Sequence, residues 1–207
     1  MTKLLTTLLL ASFAIGALAA SDKMLFVEYR VASADLPASS PEAQPRKVWR
    51  LGRELLRFED VPNPQTRVHG LIIVNSPDIW IIDRNKNQGQ HAIDPGPSYG
   101  VHFPMFPREQ SEKLKQLEFG SELQFFKDNG AKEVASQTID GIKCKLYRME
   151  LDERQLTLFL KPDNLPLQIE VQSASVKYAL RFLRYEPDQK PDMGLFKVPS
   201  DVKIVEP

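Results

Sequence analysis

The chain has 207 residues, and its 27 lysines and arginines are balanced by 27 aspartates and glutamates. Because there is no basic excess, the composition argues against a nucleic-acid-binding protein. A single cysteine excludes an internal disulfide, so the fold must depend on its hydrophobic core. The length is that of one domain with a substantial core.

Residues 1–20 predict a secretory signal peptide. A lysine near the start is followed by an apolar stretch, and Ala17-Leu18-Ala19 matches an A-x-A cleavage site. The apolar stretch is short for a membrane span, which needs about 20 residues. Cys144 lies far from the cleavage site, so no lipid anchor is expected. We therefore expect residues 21–207 to form one periplasmic domain, with 26 basic against 27 acidic residues.

The first half of the mature chain predicts short strands separated by turns. KMLFVEYRVA alternates apolar and polar residues, which is typical of a strand with one buried face. KVWRLGRELLRFED contains a central Gly52, which favours two short strands around a turn, although its apolar spacing leaves a helix as the alternative. HGLIIVNS and DIWIIDRN predict a hairpin joined at Ser76-Pro77, and QHAID predicts the next strand.

A long proline-rich segment, Asp94–Pro107, then interrupts the strands. It has four prolines, two glycines and no hydrophobic period, and a loop of this length is usually functional or mobile. It also carries Phe103, Met105 and Phe106 where polar residues are usual, which is typical of loops that cover ligands. Its role is left open.

Two short helices, or one broken helix, are predicted after this loop. PREQSEKLKQLEFG predicts a first helix that stops at Gly120, with Leu114 and Leu117 on its apolar edge. SELQFFKDNG predicts a second helix, with Ser121 and Gln124 in the spacing of a capping box. One helical face is predicted to carry Phe119, Leu123 and Phe126.

The rest of the chain again predicts strands, from KEVASQTI through IKCKLYRMEL, RQLTLFLK, LPLQIEVQ and SVKYALRFLRY to LFKVPSDVKIVEP. A turn is predicted at Asp140-Gly141. In LPLQIEVQ the side chains of Leu165, Leu167, Ile169 and Val171 are expected to point the same way. Because the turns are short, the sheet is predicted to be antiparallel.

The order of these segments resembles that of the periplasmic lipoprotein-carrier superfamily, the LolA/LppX-like outer-membrane lipoprotein-sorting proteins. The resemblance lies in a helix followed by GAKEV and IDGIKCKLY, in DNLPLQIEV, and in the ending PDMGLFKVPSDVKI. It implies a mainly β (α+β) fold. In that fold a strongly curved antiparallel sheet forms an incomplete β-barrel of about eleven strands, with one or two helices in its concave mouth.

The resemblance also implies an inward-pointing arginine, for which Arg50, Arg53 and Arg57 are all candidates, and an apolar ligand site in the mouth. The large side chains expected to line that site are Trp49, Trp80, Phe103, Phe106, Leu114, Leu117, Phe119, Leu123 and Phe126.

Catalytic and metal-binding motifs are weak. His69, His91 and His102 lack the spacing of metal ligands, no nucleophile motif occurs, and Cys144 is expected to be a buried structural thiol. No enzymatic activity, metal or cofactor is therefore expected. A hydrolase would require an acidic partner within hydrogen-bond reach of His91 or His102.

The leading hypothesis is a carrier or chaperone that binds a lipid or lipoprotein acyl chain in a half-barrel cavity and acts in outer-membrane lipid or lipoprotein handling. Membrane-bound transfer partners fit this hypothesis, and nucleic acid does not. The alternative hypothesis is an envelope-sensing or protein-interaction module whose own side chains fill the same scaffold.

Overall fold

The computed structural model describes residues 23–33, 36–37, 39–40, 43–60, 62, 69–94, 105, 111–174 and 177–205. The expected signal peptide, His102, Phe103 and Phe106 lie outside the described residues.

The described residues are mainly β, with one α-helix and short 3₁₀ turns. The strands are β1 (Met24–Ser33), β2 (Arg46–Leu51), β3 (Leu55–Asp60), β4 (Gly70–Asn75), β5 (Asp78–Asp83), β6 (Gln88–Ile93), β7 (Lys132–Ile139), β8 (Ile142–Leu151), β9 (Arg154–Leu160), β10 (Pro166–Gln172), β11 (Lys177–Gln189) and β12 (Lys203–Ile204). The helix is α1 (Glu122–Asp128), and 3₁₀ turns lie at Leu114–Gln116 and Met193–Phe196.

All twelve strands belong to one sheet, in the order β12-β6-β5-β4-β3-β2-β1-β11-β10-β9-β8-β7. The first and last long strands, β1 and β11, pair at its centre. We call β2–β6 with β12 the N-terminal wing and β7–β10 the C-terminal wing. Neighbouring strands are antiparallel, as predicted, except that β12 pairs parallel with β6. The sheet is curved, and within the described chain its edges β12 and β7 do not pair to close a barrel.

One buried cluster lies inside the curve of the sheet. It takes apolar side chains from the eight neighbouring strands between β4 and β8, and from the segment around α1. These strands span seven gaps of about 4.8 Å, or roughly 34 Å of sheet. The sheet curves around this cluster, and we call the face that carries it the concave face.

Residues 111–128, which we call the cover segment, lie on the concave face. Phe119 packs near Tyr29 of β1, with ring centroids 4.9 Å apart, and α1 lies over β8 and β9. Leu117 and Phe126 are fully buried in the cluster. The cover segment therefore fills the centre of the concave face and the inner side of the C-terminal wing.

Residues 193–202, which we call the tail segment, lie on the opposite, convex face of the N-terminal wing. The turn Met193–Phe196 packs on β3 and β4, and Phe196 is 1% exposed. A separate convex cluster is formed by Leu71, Ile73, Ile82, Trp80, Val198 and Val202.

The predicted first helix is not formed within the described residues, where only the 3₁₀ turn Leu114–Gln116 appears. The predicted capping box is also wrong. The Ser121 hydroxyl donates to the Glu118 carbonyl oxygen, and Gln124 contacts Asp128. The reason is tertiary, because the cover segment follows the apolar floor of the sheet instead of its own helical period.

The prediction that Leu165, Leu167, Ile169 and Val171 share one apolar face is wrong, because Leu167 does not share the face of Ile169 and Val171. A register shift between Pro166 and Gln168 places a bulge at Leu167. Ile169 and Val171 join the concave cluster, whereas Leu167 joins a second cluster that contains the buried Cys144. A bulge inserts one residue and so moves the side chains beyond it to the other face.

Candidate functional site

The structure brings five of the predicted site residues together on the concave face. These are Leu114, Leu117, Phe119, Leu123 and Phe126, all within or against the concave cluster. Met105, between the undescribed Phe103 and Phe106, is 4% exposed in the same cluster. Its backbone N–H donates to the Leu117 carbonyl oxygen at 2.8 Å. The apolar side chains of the cover segment therefore occupy the concavity themselves.

The two tryptophans are not part of this group, because both lie on the convex face. The ring of Trp49 lies 5.0 Å from that of Phe26 and 5.8 Å from the guanidinium of Arg57. Trp80 packs against the convex cluster. Side chains alternate along a strand, so the concave positions belong to the neighbouring Val48 and Ile79 instead.

A first row of apolar side chains crosses the concave face of the N-terminal wing. The strand registers place Val48 of β2 opposite Phe58 of β3, Phe58 opposite Ile72 of β4, and Ile72 opposite Ile81 of β5. Val48 is fully buried, Phe58 and Ile72 are half-buried, and Ile81 is 58% exposed. The row thus runs from the packed core to an open apolar end.

A second row lies beside the first and shows the same gradient. It runs from Leu56 of β3 through Val74 and Ile79 to Ala92 of β6. Leu56 and Val74 are buried, Ile79 is half-buried and Ala92 is exposed. The two rows form an apolar surface on the outer concave side, which we call the open floor and define as Phe58, Ile72, Ile79, Ile81 and Ala92.

Sequence reasoning did not identify the open floor. HGLIIVNS and DIWIIDRN are apolar on both faces, so alternation alone does not decide which face is covered. The useful signal was present, since a strand pair that is apolar on both faces presents an apolar surface on each of them.

Arg50 is the arginine that lies on the concave side. It pairs in register with Leu25, and its guanidinium lies 2.7 Å from the Glu118 carboxylate. It also donates to the carbonyl oxygen of Phe119 at 3.3 Å. Of the other candidates, Arg57 lies on the convex side, where it donates to the Leu195 carbonyl oxygen. Arg50 therefore ties β2 to the cover segment.

Glu122, the first residue of α1, is a buried carboxylate. It accepts hydrogen bonds from the Tyr185 hydroxyl at 2.7 Å and from the Gly120 backbone N–H at 3.1 Å. Burial raises the pKa of Glu122 to about 7, against the smaller opposing effects of Tyr185, Gly120 and Arg50. The start of α1 is thus held by hydrogen bonds to the Glu122 carboxyl group, which gains or loses its proton near neutral pH.

A cleft of about 480 Å³ opens where the cover segment crosses the rim of the sheet. Its basic lining residues are Lys23, Arg50 and Arg53, and its apolar floor includes Leu25 and Phe119. It lies directly beside the contact between Arg50 and Glu118.

A histidine–carboxylate pair lies on the convex face, away from the cleft. His91 Nε2 lies 2.7 Å from Asp78 Oδ1, and the imidazole stacks on Trp80 with centroids 5.1 Å apart. Cys144 lies in the other wing. Among the described residues, no group of three or more histidine, cysteine, aspartate or glutamate side chains is arranged to hold a metal ion.

No protein-family model and no curated protein matches the sequence. Among solved structures, an uncharacterized conserved protein from Thermus thermophilus is similar to this chain at a TM-score of 0.53 and 12% identity. The match covers 90% of this chain and 92% of that one. This likeness shows a shared fold.

Two structures of PNGF-II match with TM-scores of 0.36 and 0.34, at 8% and 9% identity. They cover 89% of this chain but only 31% and 32% of the PNGF-II chain, so the chain spans about a third of that protein. At these scores the likeness does not establish a shared fold.

In the part of the chain that the structure describes, no helix has the length and apolar character needed to cross a membrane.

Proposed function

We propose that this protein is a secreted periplasmic carrier or chaperone that binds the acyl chain of a lipid or lipoprotein on its concave face. The single observation that carries the proposal is the open floor, an apolar surface continuous with the core that becomes exposed toward β6. This surface would act in the manner of the lipoprotein-carrier superfamily, with the curved sheet as an incomplete barrel around the chain.

The energetics favour an acyl chain as the occupant. Each buried methylene contributes roughly 0.8 kcal/mol, so a chain of about sixteen carbons gains on the order of 10 kcal/mol. The open floor crosses only three strand spacings of about 4.8 Å, from β3 to β6. A full acyl chain would therefore extend from Ile81 and Ile72 toward the region that Phe119 and Phe126 now fill.

The cover segment would be displaced for the chain to enter fully. The contact of Arg50 with Glu118 and Phe119, and that of Glu122 with Tyr185, hold the cover segment through polar groups. Its apolar side chains fill the inner concavity, and a bound acyl chain would replace their apolar contacts with contacts of the same kind.

Native mass spectrometry and uptake of a fluorescent palmitate analogue by the purified protein test this proposal. We expect one bound chain per protein and saturable fluorescence uptake. A clean unliganded mass together with no uptake would rule the proposal out.

Two matched variants locate the binding surface. Ile81→Gln changes an isoleucine of the open floor that is 58% exposed, and Ile93→Gln changes one that is 62% exposed on the convex side of the neighbouring strand. Loss of one partial apolar contact predicts about fivefold weaker acyl binding for Ile81→Gln. Ile93→Gln should bind like the parent protein, and equal weakening in both variants would place the chain elsewhere.

A second candidate function is an interaction module that holds no ligand. It is favoured by the filling of the inner concave face with the protein's own side chains, among which Leu117 and Phe126 are fully buried. In that case the parent protein would take up no fluorescent palmitate analogue, and the Ile81→Gln variant would behave in the same way.

A further inference from the structure

Three basic side chains converge on the cleft at the rim of the concave face. Lys23 precedes β1, Arg50 lies near the end of β2, and Arg53 lies in the turn between β2 and β3. Glu118 of the cover segment is the carboxylate among the lining residues, so the lining carries a net charge of +2 (3 minus 1). This charge is local, because the whole chain is neutral.

The three cations differ in their partners. Arg50 contacts Glu118 at 2.7 Å, and Lys23 contacts Asp188 at 2.8 Å with both side chains 64% exposed. Arg53 forms no ion pair with any other residue in the described part of the chain. Exposed ion pairs are weak and exchange readily, so the Lys23 ammonium can contact an incoming anion as well as Asp188. Such an anion would therefore contact both the Arg53 guanidinium and the Lys23 ammonium.

The floor of the cleft is apolar and belongs to the concave cluster. Leu25 is 8% exposed and Phe119 is 3% exposed, and both are members of that cluster. The cleft therefore has a cationic rim above an apolar base that leads into the proposed acyl site. This is the arrangement that an amphiphile with one charged end requires.

We infer that this cleft binds the phosphate of an anionic lipid headgroup while the acyl chain lies on the concave face. The inference rests on the proposed function and deepens it. Guanidinium groups match phosphate oxygens with two parallel hydrogen bonds, and the ammonium adds a point charge. A phosphate bound at Arg50 would compete with the Glu118 carboxylate for the same guanidinium, so headgroup binding loosens the cover segment.

A matched pair of ligands tests the headgroup separately from the chain. Palmitoyl lysophosphatidic acid and monopalmitoylglycerol have the same chain and glycerol and differ by the phosphate. Titration calorimetry on the purified protein below the micellar concentrations should show at least about 10-fold tighter binding of the phosphate-bearing lipid. Glycerol 3-phosphate, which has the phosphate without the chain, should bind far more weakly than the lysolipid.

Two variants link the preference to the cleft. Arg53→Gln should lower the affinity ratio between the two lipids several-fold, and added salt should lower it in the parent protein because the cleft is open to solvent. Arg30→Gln, which changes an exposed arginine of β1 that does not line the cleft, should leave the ratio unchanged.

The outcomes separate the two proposals. Equal affinity for both lipids would overturn the headgroup site and leave acyl binding standing. Binding of neither lipid would overturn both. Glycerol 3-phosphate binding as tightly as the lysolipid would show a site for free phosphate and would overturn the assignment to a lipid.

Discussion

The two wings of the sheet are covered on opposite faces. The C-terminal wing has its concave face covered by the cover segment, with Phe126 fully buried over β8 and β9. The N-terminal wing has its convex face covered by the tail segment, with Phe196 at 1% exposure over β3 and β4. The outer concave face of the N-terminal wing is thereby left with an exposed Ile81, at 58%.

This difference shows how a single curved sheet can be stably folded and still expose part of one apolar face to solvent. Each wing has one face covered by a short segment, although the opposite face of the C-terminal wing also buries apolar side chains, among them Leu146 and Phe159. Among the described residues, no element covers the apolar concave face of the N-terminal wing along β5 and β6, and that is where a ligand surface is proposed. Four sets of substitutions would break or sharpen the comparison.

The largest effect is expected where the two covering segments meet the sheet. Phe126→Ala and Phe196→Ala should each cost about 3–5 kcal/mol of unfolding free energy, because each removes a fully buried ring. Urea unfolding measures the cost, and native-state hydrogen exchange locates it. Phe126→Ala should reduce protection in β8 and β9, and Phe196→Ala in β3 and β4. Loss of protection in the same wing for both would contradict the comparison.

Glu122 makes the hold on the cover segment pH-dependent. Its pKa is about 7 in the folded protein against an ordinary 4.5, so the folded state retains a proton that the unfolded state has lost between these values. The stability that this group contributes should therefore be fully present below pH 4.5, fall as pH rises through this window by about 3 kcal/mol, and then level off. This contribution should be absent in Glu122→Gln.

Urea unfolding of both proteins at several pH values between 4 and 8 measures the difference. The difference curve isolates Glu122 from the other carboxyl groups, whose contributions are common to both proteins. A difference curve that is flat across the window would show that the pKa of Glu122 is the same in the folded and unfolded states.

Gly89 holds β6 close to β5 in the N-terminal wing. A Cβ at Gly89 would lie 2.7 Å from Ile82 Cγ1 and 3.0 Å from the Ile81 carbonyl oxygen. Because a backbone atom is involved, Gly89→Ala should cost about 1–3 kcal/mol in urea unfolding. Ala92→Ser on the same strand changes an exposed residue and should stay within about 0.5 kcal/mol. Equal costs would mean that β6 adjusts freely.

The smallest effect is expected at the ion pair between the N-terminal wing and the cover segment. Arg50→Gln should cost about 1–2 kcal/mol, because the Arg50 and Glu118 side chains are only 12% and 18% exposed. Hydrogen exchange in α1 should quicken. Lys86→Gln removes the ion pair between Lys86 and Asp83, in which the lysine is 73% exposed, and should leave stability unchanged. An unchanged exchange rate in α1 of Arg50→Gln would show that this ion pair does not hold the cover segment.

Much of the local structure could be predicted from the sequence. The turn at Asp140-Gly141 is formed with positive φ at both residues, and the strands on either side of Gly52 are β2 and β3. The burial of Cys144 was predicted from alternation and is confirmed. These features depend on period and turn chemistry, which neighbouring residues alone specify.

The candidate site could be predicted only in part. The cover segment was identified by its spacing of large apolar residues, although its first predicted helix is a single 3₁₀ turn in the described structure. Trp49 and Trp80 were placed on the wrong face, and Ile72 and Ile81 were missed. Residue type does not show which face of a two-sided apolar strand receives a covering segment.

By itself, the sequence determined that the chain is mainly β, where most strands and turns fall, and which segment would bury its aromatic residues. Only the tertiary structure decided that β1 pairs with β11, that β12 joins β6 in parallel, and that the wings are covered on opposite faces. The physical reason is distance along the chain. Strand period and turns are set by adjacent residues. The pairings of β1 with β11 and of β6 with β12, and the coverage of the N-terminal wing by the tail segment, depend on contacts between segments more than a hundred residues apart.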